Sequence, residues 1–214
     1  MTGFVTLKTE GMSTEEAYRL IVGCVAPRPV AWITTQDASG RVNAAPFSSY
    51  NYVAHSPPML AVNIGSRKGE LKDTARNIKE TGEFVVNVAT EATLDLMHAT
   101  GADYPAEIGE PQALGIELAP SVVVRAPRIP ATPIQMECRL EHVLPLGRGL
   151  NTLYIGEVVA FHLSESIYNG RHVDAVAMRP IGRLGGPYYA GLGEIFHRPM
   201  LQSPPVGDSS PEQS

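Results

Sequence analysis

From Asn63 to Thr74 the chain reads NIGSRKGELKDT, a basic, glycine-punctuated loop set between an apolar run and the start of a helix. Such a loop is suited to meet an anion. Gly65 and Gly69 let the backbone turn and expose its N–H groups, while Ser66, Arg67, Lys68, Lys72 and Thr74 add donors and positive charge beside a positive helix end. A phosphate monoester is the natural guest, with Lys68 turned to solvent. A solvated loop in front of a capped helix is the competing reading. A second segment, APFSSYN (Ala45 to Asn51), is held between Pro46 and Pro57. Its Ser48, Ser49 and Asn51 offer N–H and hydroxyl groups to the heteroatoms of a planar ligand. Phe47, Tyr50 and the only tryptophan, Trp32, are the rings available to lie against it. A β-turn with core aromatics accounts for the same residues, and for Trp32 alone packing is the better reading.

Familiar catalytic arrangements are absent. There is no Walker A loop, no GxGxxG after a strand, no HExxH and no GxSxG, and His55, His98, His142, His162, His172 and His197 show no metal-ligand spacing. No catalytic acid, base or metal ligand is therefore assigned. His172-Val173-Asp174 places two polar groups on one face of a strand, best read as a solvent-exposed edge. If the protein is an enzyme, a bound cofactor supplies the reactivity and the chain supplies binding, orientation and electrostatics.

The elements that must position these groups are mostly strands. Val30–Thr35 and Arg41–Ala45 flank a turn at Asp37–Gly40, Pro58–Ile64 reads as a buried strand, and Glu83–Ala89 is a further β-branched run. Pro133–Pro145 and Leu153–Leu163 alternate and are joined by Gly147-Arg148-Gly149, the pattern of a long hairpin that can close a barrel. Ser13 and Glu16 form a capping box for a helix ending at Gly23. Leu71, Ala75 and Ile78 keep helical spacing until Gly82, and a helix is expected at 91–100. Residues 102–120 are read as a surface excursion, and Asn169-Gly170 as a turn before a run at 172–177. The predicted organisation is an N-terminal strand at 1–12, one domain over 13–200, and a disordered Ser/Pro/Gly-rich tail at 201–214.

Length and composition agree with one globular unit: 214 residues, 43% apolar and 18% charged. No apolar run is long enough for a bilayer and no signal peptide is recognised, so a cytoplasmic location is expected. Cys24 and Cys138 lie far apart and are read as core thiols. A net charge of −5 gives no general attraction to nucleic acid, so the basic cluster at 67–72 is a local feature aimed at a small target.

Six segments in order resemble the flavin reductase-like family of FMN-binding split barrels, in the branch with flavoredoxin-type proteins: PRPVAWITT (27–35), DASGRVNAAPFSSYN (37–51), SPPMLAVNIG (56–65), KDTARNIKETGEFVVNV (72–88), LYIGEVVAFHL (153–163) and RPIGRLGG (179–186). The resemblance implies a mainly β fold, an antiparallel Greek-key split barrel with flanking helices. It further implies a homodimer with FMN near the subunit interface, FAD being the less expected flavin. Carried over by resemblance, Arg28, Trp32 and Thr34 line the flavin site and Phe47, Ser48, Ser49, Tyr50 and Asn51 contact the ring edge. Ser66, Arg67, Lys72, Asp73 and Thr74 take the phosphate and ribityl chain, Asp73 through a helix cap or a ribityl hydroxyl. Arg183, Tyr188 and Tyr189 match the C-terminal segment, where the tyrosines are either flavin or interface residues, and His142 is read as a barrel-wall histidine. The implied activity is hydride transfer from NADH or NADPH to flavin, with free flavin, a partner oxygenase or another acceptor downstream. The alternative is a flavoredoxin-type electron carrier without a nicotinamide site.

Overall fold

The computed structural model describes residues 3–67, 69–105, 107–148 and 151–199. The chain opens with α1 (Thr14–Cys24), β1 (Arg28–Pro29), β2 (Ala31–Gln36), β3 (Val42–Phe47), β4 (Tyr50–His55) and β5 (Pro58–Gly65). It continues through α2 (Asp73–Thr81), β6 (Glu83–Val88), a single 3-10 turn, α3 (Leu94–Ala99) and α4 (Glu110–Leu114). The long strands β7 (Ile134–Leu146) and β8 (Asn151–Leu163) precede α5 (Ala175–Met178), β9 (Gly182–Arg183) and β10 (Tyr189–Ala190).

Seven strands pair antiparallel in the order β3-β2-β6-β7-β8-β5-β4. The outer strands, β3 and β4, are consecutive in the chain and separated only by Ser48 and Ser49. Two edges so closely tethered must lie together, so the sheet curls into a barrel that stays open along one seam. Asn63 N–H of β5 donates to Ser49 O (2.8 Å), which carries the β4–β5 ladder one residue beyond Tyr50 into the β3–β4 connection. Alternation along β2 then sorts its side chains: Ala31 and Ile33 join the barrel core with Val62, Phe84 and Tyr154. Trp32 falls in a second core outside the barrel, with Ala44, Met97 and Ile129, under α3. The β2–β3 turn is held by Asp37, whose Oδ1 accepts from Ser39 N–H (2.9 Å) and Arg41 N–H (3.0 Å). The Ser39 hydroxyl and the Arg41 guanidinium hold that carboxyl far below the usual range.

Glu137 pins the 120s segment to the barrel. Its fully buried carboxylate accepts from the N–H groups of Val122 (2.8 Å), Val123 (2.7 Å) and Val124 (2.9 Å), and pairs with His162 Nε2 (2.6 Å).

Several expectations change. Residues 3–12 form no strand: they have no neighbouring strand to pair with, and Phe4 and Val5 are exposed. His172 and Asp174 do not share a strand face, because Asp174 Oδ1 accepts from Val176 and Ala177 N–H (2.9 Å each) and starts α5 instead. The excursion at 102–120 contains α4, and Cys24 is exposed while Cys138 is buried. Lys68, Gly149 and the tail from 201 lie outside the described residues. No helix among the described residues is long and apolar enough to cross a membrane.

Candidate flavin-binding groove

The basic loop closes on itself before α2. Arg67 and Glu70 exchange both backbone hydrogen bonds (2.8 Å each) around Gly69, whose φ of +85° suits glycine. Helix α2 then starts at Asp73 with no side-chain cap: Lys72 occupies the capping position, and Asp73 turns its carboxylate to Arg76. The first-turn N–H groups are thus left without an intrahelical or side-chain acceptor, an arrangement that favours an anion. Asp73, Thr74 and Arg76 of this turn border a cavity of about 230 Å³ walled also by Asn43, Phe47, Arg67, Lys72 and Tyr104.

The cations at this cavity differ in what holds them. Arg67 reaches Asp103 Oδ1 at 2.6 Å. Lys72 has no carboxylate partner among the described residues; its Nζ stands 5.7 Å from the centroid of the Phe47 ring. Burial, and then the neighbouring Arg67, hold its ammonium pKa below the ordinary lysine value. Glu110 also lines this cavity; it is buried and accepts from Ala44 N–H (2.9 Å). With its nitrogen turned to Glu110 Oε1 (3.2 Å), the Asn43 amide accepts from Thr74 Oγ1 (2.9 Å), which fixes the start of α2 against β3. Burial pushes the Glu110 carboxyl up, against the opposing Ala44 hydrogen bond.

Pro46, Phe47, Lys72 and Gly101 also wall a second cavity of about 400 Å³, so the two form one groove. The far part is bounded by Tyr18 of α1, Arg28, Ser48, Arg183 and Tyr189. Its polar ends and aromatic floor match the donor set for a long planar ligand carrying a phosphate.

A family model for the flavin reductase like domain matches residues 23–177. The chain belongs to this family. Component B of nitrilotriacetate monooxygenase from Bacillus cereus is 35% identical, with a TM-score of 0.90 over 92% of this chain and 100% of that one. The 2-nitrobenzoate 2-nitroreductase of Pseudomonas fluorescens is 32% identical, with a TM-score of 0.86 over 94% and 99%. A flavin reductase with a split barrel domain from Shewanella frigidimarina, 21% identical, shares the fold alone, with a TM-score of 0.82 over 93% and 100%.

Within this flavin reductase like domain, Arg28, Phe47, Ser48, Arg67, Lys72, Asp73 and Thr74 border the groove. Six residues assigned with them do not. Trp32 is fully buried and its Nε1 donates to Thr100 Oγ1 (3.0 Å), while Thr34, on the same strand face, donates to Pro127 O (2.6 Å). Tyr50 turns onto the barrel core, and burial pushes its phenol pKa up to about 12. Asn51 is exposed, with Oδ1 accepting from Tyr52 N–H (2.9 Å), and neither Ser49 nor Ser66 borders either cavity. Arg28 reaches the wall, but its guanidinium donates to Val22 O (2.5 Å), Val25 O (2.6 Å) and Leu184 O (3.1 Å), tying the end of α1 to the β9–β10 turn. Asp73 does not cap α2. His142 is exposed on β7. Asn43, Glu110, Tyr104 and Arg76 are groove residues without a local sequence signal. No cluster able to hold a metal ion occurs among the described residues.

Proposed function

We propose that the groove binds FMN and that the protein is an oxidoreductase taking electrons from NADH or NADPH. The observation that carries this reading is the uncapped start of α2, open to a cavity where Lys72 has no carboxylate partner. Phosphate is assigned to the α2 N–H groups with Lys72 and Arg67, and FMN is preferred to FAD because one basic loop suits a monophosphate. Phe47 floors the middle of the groove and Ser48, at the seam, offers polar groups to a ring edge.

With a flavin bound, the chemistry supplied is two-electron transfer from reduced nicotinamide and onward transfer to an acceptor. The chain's own part is to bind, orient and exclude water; hydride transfer needs no protein acid or base. The similarity to component B of a monooxygenase supports an oxygenase as the downstream partner, and that to a nitroreductase supports direct transfer to a small acceptor. We assign a homodimer, because none of α1's side chains is buried in the single chain.

Titration with FMN and with riboflavin, which lacks only the phosphate, tests the assignment. FMN should bind more tightly, and NADH or NADPH should reduce the complex. Equal affinity for both removes the phosphate site; absence of any flavin binding removes the whole reading.

A further inference from the structure

The far part of the groove carries charge of one sign. Register across the small sheet sets Arg28 opposite Arg183 and Arg183 opposite Tyr189, so the three side chains stand in a row on one face. Like charges directly opposed across strands cost stability, yet no acid compensates them here. Arg28, Lys72 and Arg183 border the cavity of about 400 Å³, and no Asp or Glu does. None of the three joins an ion pair among the described residues. The carbonyls around Arg28 fix its guanidinium without cancelling its charge.

Arg183 is held differently. Its guanidinium lies 4.4 Å from the centroid of the Tyr189 ring and donates to Tyr189 Oη and to Gly186 O (2.8 Å). Two contacts leave several of its five N–H donors free. Tyr189 Oη accepts from Arg183 and stands 3.3 Å from His98 Nδ1, so the hydroxyl proton points away from the guanidinium, to the imidazole or to a ligand.

We propose that this cavity is the subsite for an oxyanion of the second substrate, the carboxylate of an acceptor or the pyrophosphate of a dinucleotide donor, bound by Arg183 and the Tyr189 hydroxyl. The inference rests on the flavin reading, since Phe47 and Lys72 wall both parts of the groove.

Calorimetric titration of the full chain, with and without FMN, uses benzoate, its neutral counterpart benzamide, and inorganic pyrophosphate. At least one anion should bind to the FMN-loaded protein, and benzamide should not. Arg183→Gln should weaken that anion about tenfold or more, Arg183→Lys less, and Tyr189→Phe, which keeps the ring beneath the guanidinium, several-fold. FMN titrated in parallel separates the two ligands: in each variant the anion should lose several-fold more affinity than FMN does. Tighter benzoate identifies a carboxylate substrate and tighter pyrophosphate a dinucleotide; either supports the subsite. Equal binding of benzoate and benzamide, no binding of either anion, or unchanged anion affinity in folded Arg183→Gln and Tyr189→Phe proteins overturns it. Loss of FMN binding by the unaltered protein would sink the flavin reading instead, and the flavin-free titrations would still decide the oxyanion site.

Discussion

Lys72 is the residue through which phosphate recognition can be measured. Lys72→Ala should weaken FMN by about 1.5–3 kcal/mol, roughly tenfold to a hundredfold in Kd, and leave riboflavin nearly unchanged in fluorescence titrations. Arg67→Ala should cost less, because Asp103 already holds that guanidinium and a ligand must compete with it. The same ammonium predicts a pH dependence. Its pKa is lowered in the free protein and bound phosphate raises it again, so FMN affinity should fall as pH climbs toward the ordinary lysine value of 10.5. Riboflavin affinity should not follow; an equal fall for both ligands would remove Lys72 from the phosphate site. Arg67 and Lys72 were legible because charge beside glycine before a helix has a local physical meaning. Asn43 and Glu110 were not, since the Ala44–Glu110 hydrogen bond spans 66 residues. Trp32 packs in a core, as a lone tryptophan on an apolar strand suggests; its role by resemblance at the flavin is what fails, because strand register turns its face of β2 away from the groove.

At the scale of elements, strong periodicity and clear stops carried through. The turn at Asp37–Gly40, helix α2 ending at Gly82 and the β7–β8 hairpin are where alternation, glycine and capping placed them. Two-residue strands have no period to read, so the β1-β9-β10 sheet that aligns Arg28, Arg183 and Tyr189 stayed invisible. Asp174 fits a strand end or a helix cap equally well, and tertiary context chose the cap. Glu137 gives this level its test. Burial raises its carboxyl pKa, but the hydrogen bonds from Val122, His162, Val124 and Val123 outweigh that and hold it below 4.5. A carboxyl lowered on folding stabilises above its unfolded value, and that contribution disappears as pH falls through the folded one. Glu137→Gln should therefore cost about 2 kcal/mol near neutral pH, roughly 4–8 °C in Tm for a chain of this length, and much less in acid. Thermal melts across that range check it; an unchanged Tm at neutral pH would mean the segment is held by other contacts.

The whole molecule exposes more apolar surface than a single chain needs. Tyr18 and Ile21 of α1 are 64% and 59% exposed, and Phe161 stands at the rim of an apolar hollow of about 440 Å³ near Met136 and Met178. An amphipathic helix with no buried face gains little from packing, so a second copy should cover it. Sedimentation at micromolar concentration should give a dimer, and Ile21→Glu should shift it toward monomer; a monomeric unaltered protein with flavin bound would contradict the assignment. The groove has a wider consequence. Its walls come from five stretches, 18–30, 43–48, 67–76, 100–110 and 183–189, so most of the chain must be folded before it exists. A ligand there binds the native state alone, and at a hundredfold excess over Kd it adds about 2.7 kcal/mol to folding. Digestion of the open state should slow about a hundredfold under those conditions when reclosing outpaces cleavage. In a cell, the lifetime of this polypeptide would then track the supply of its cofactor: starved of flavin, the protein would be cleared by proteases before it was idle.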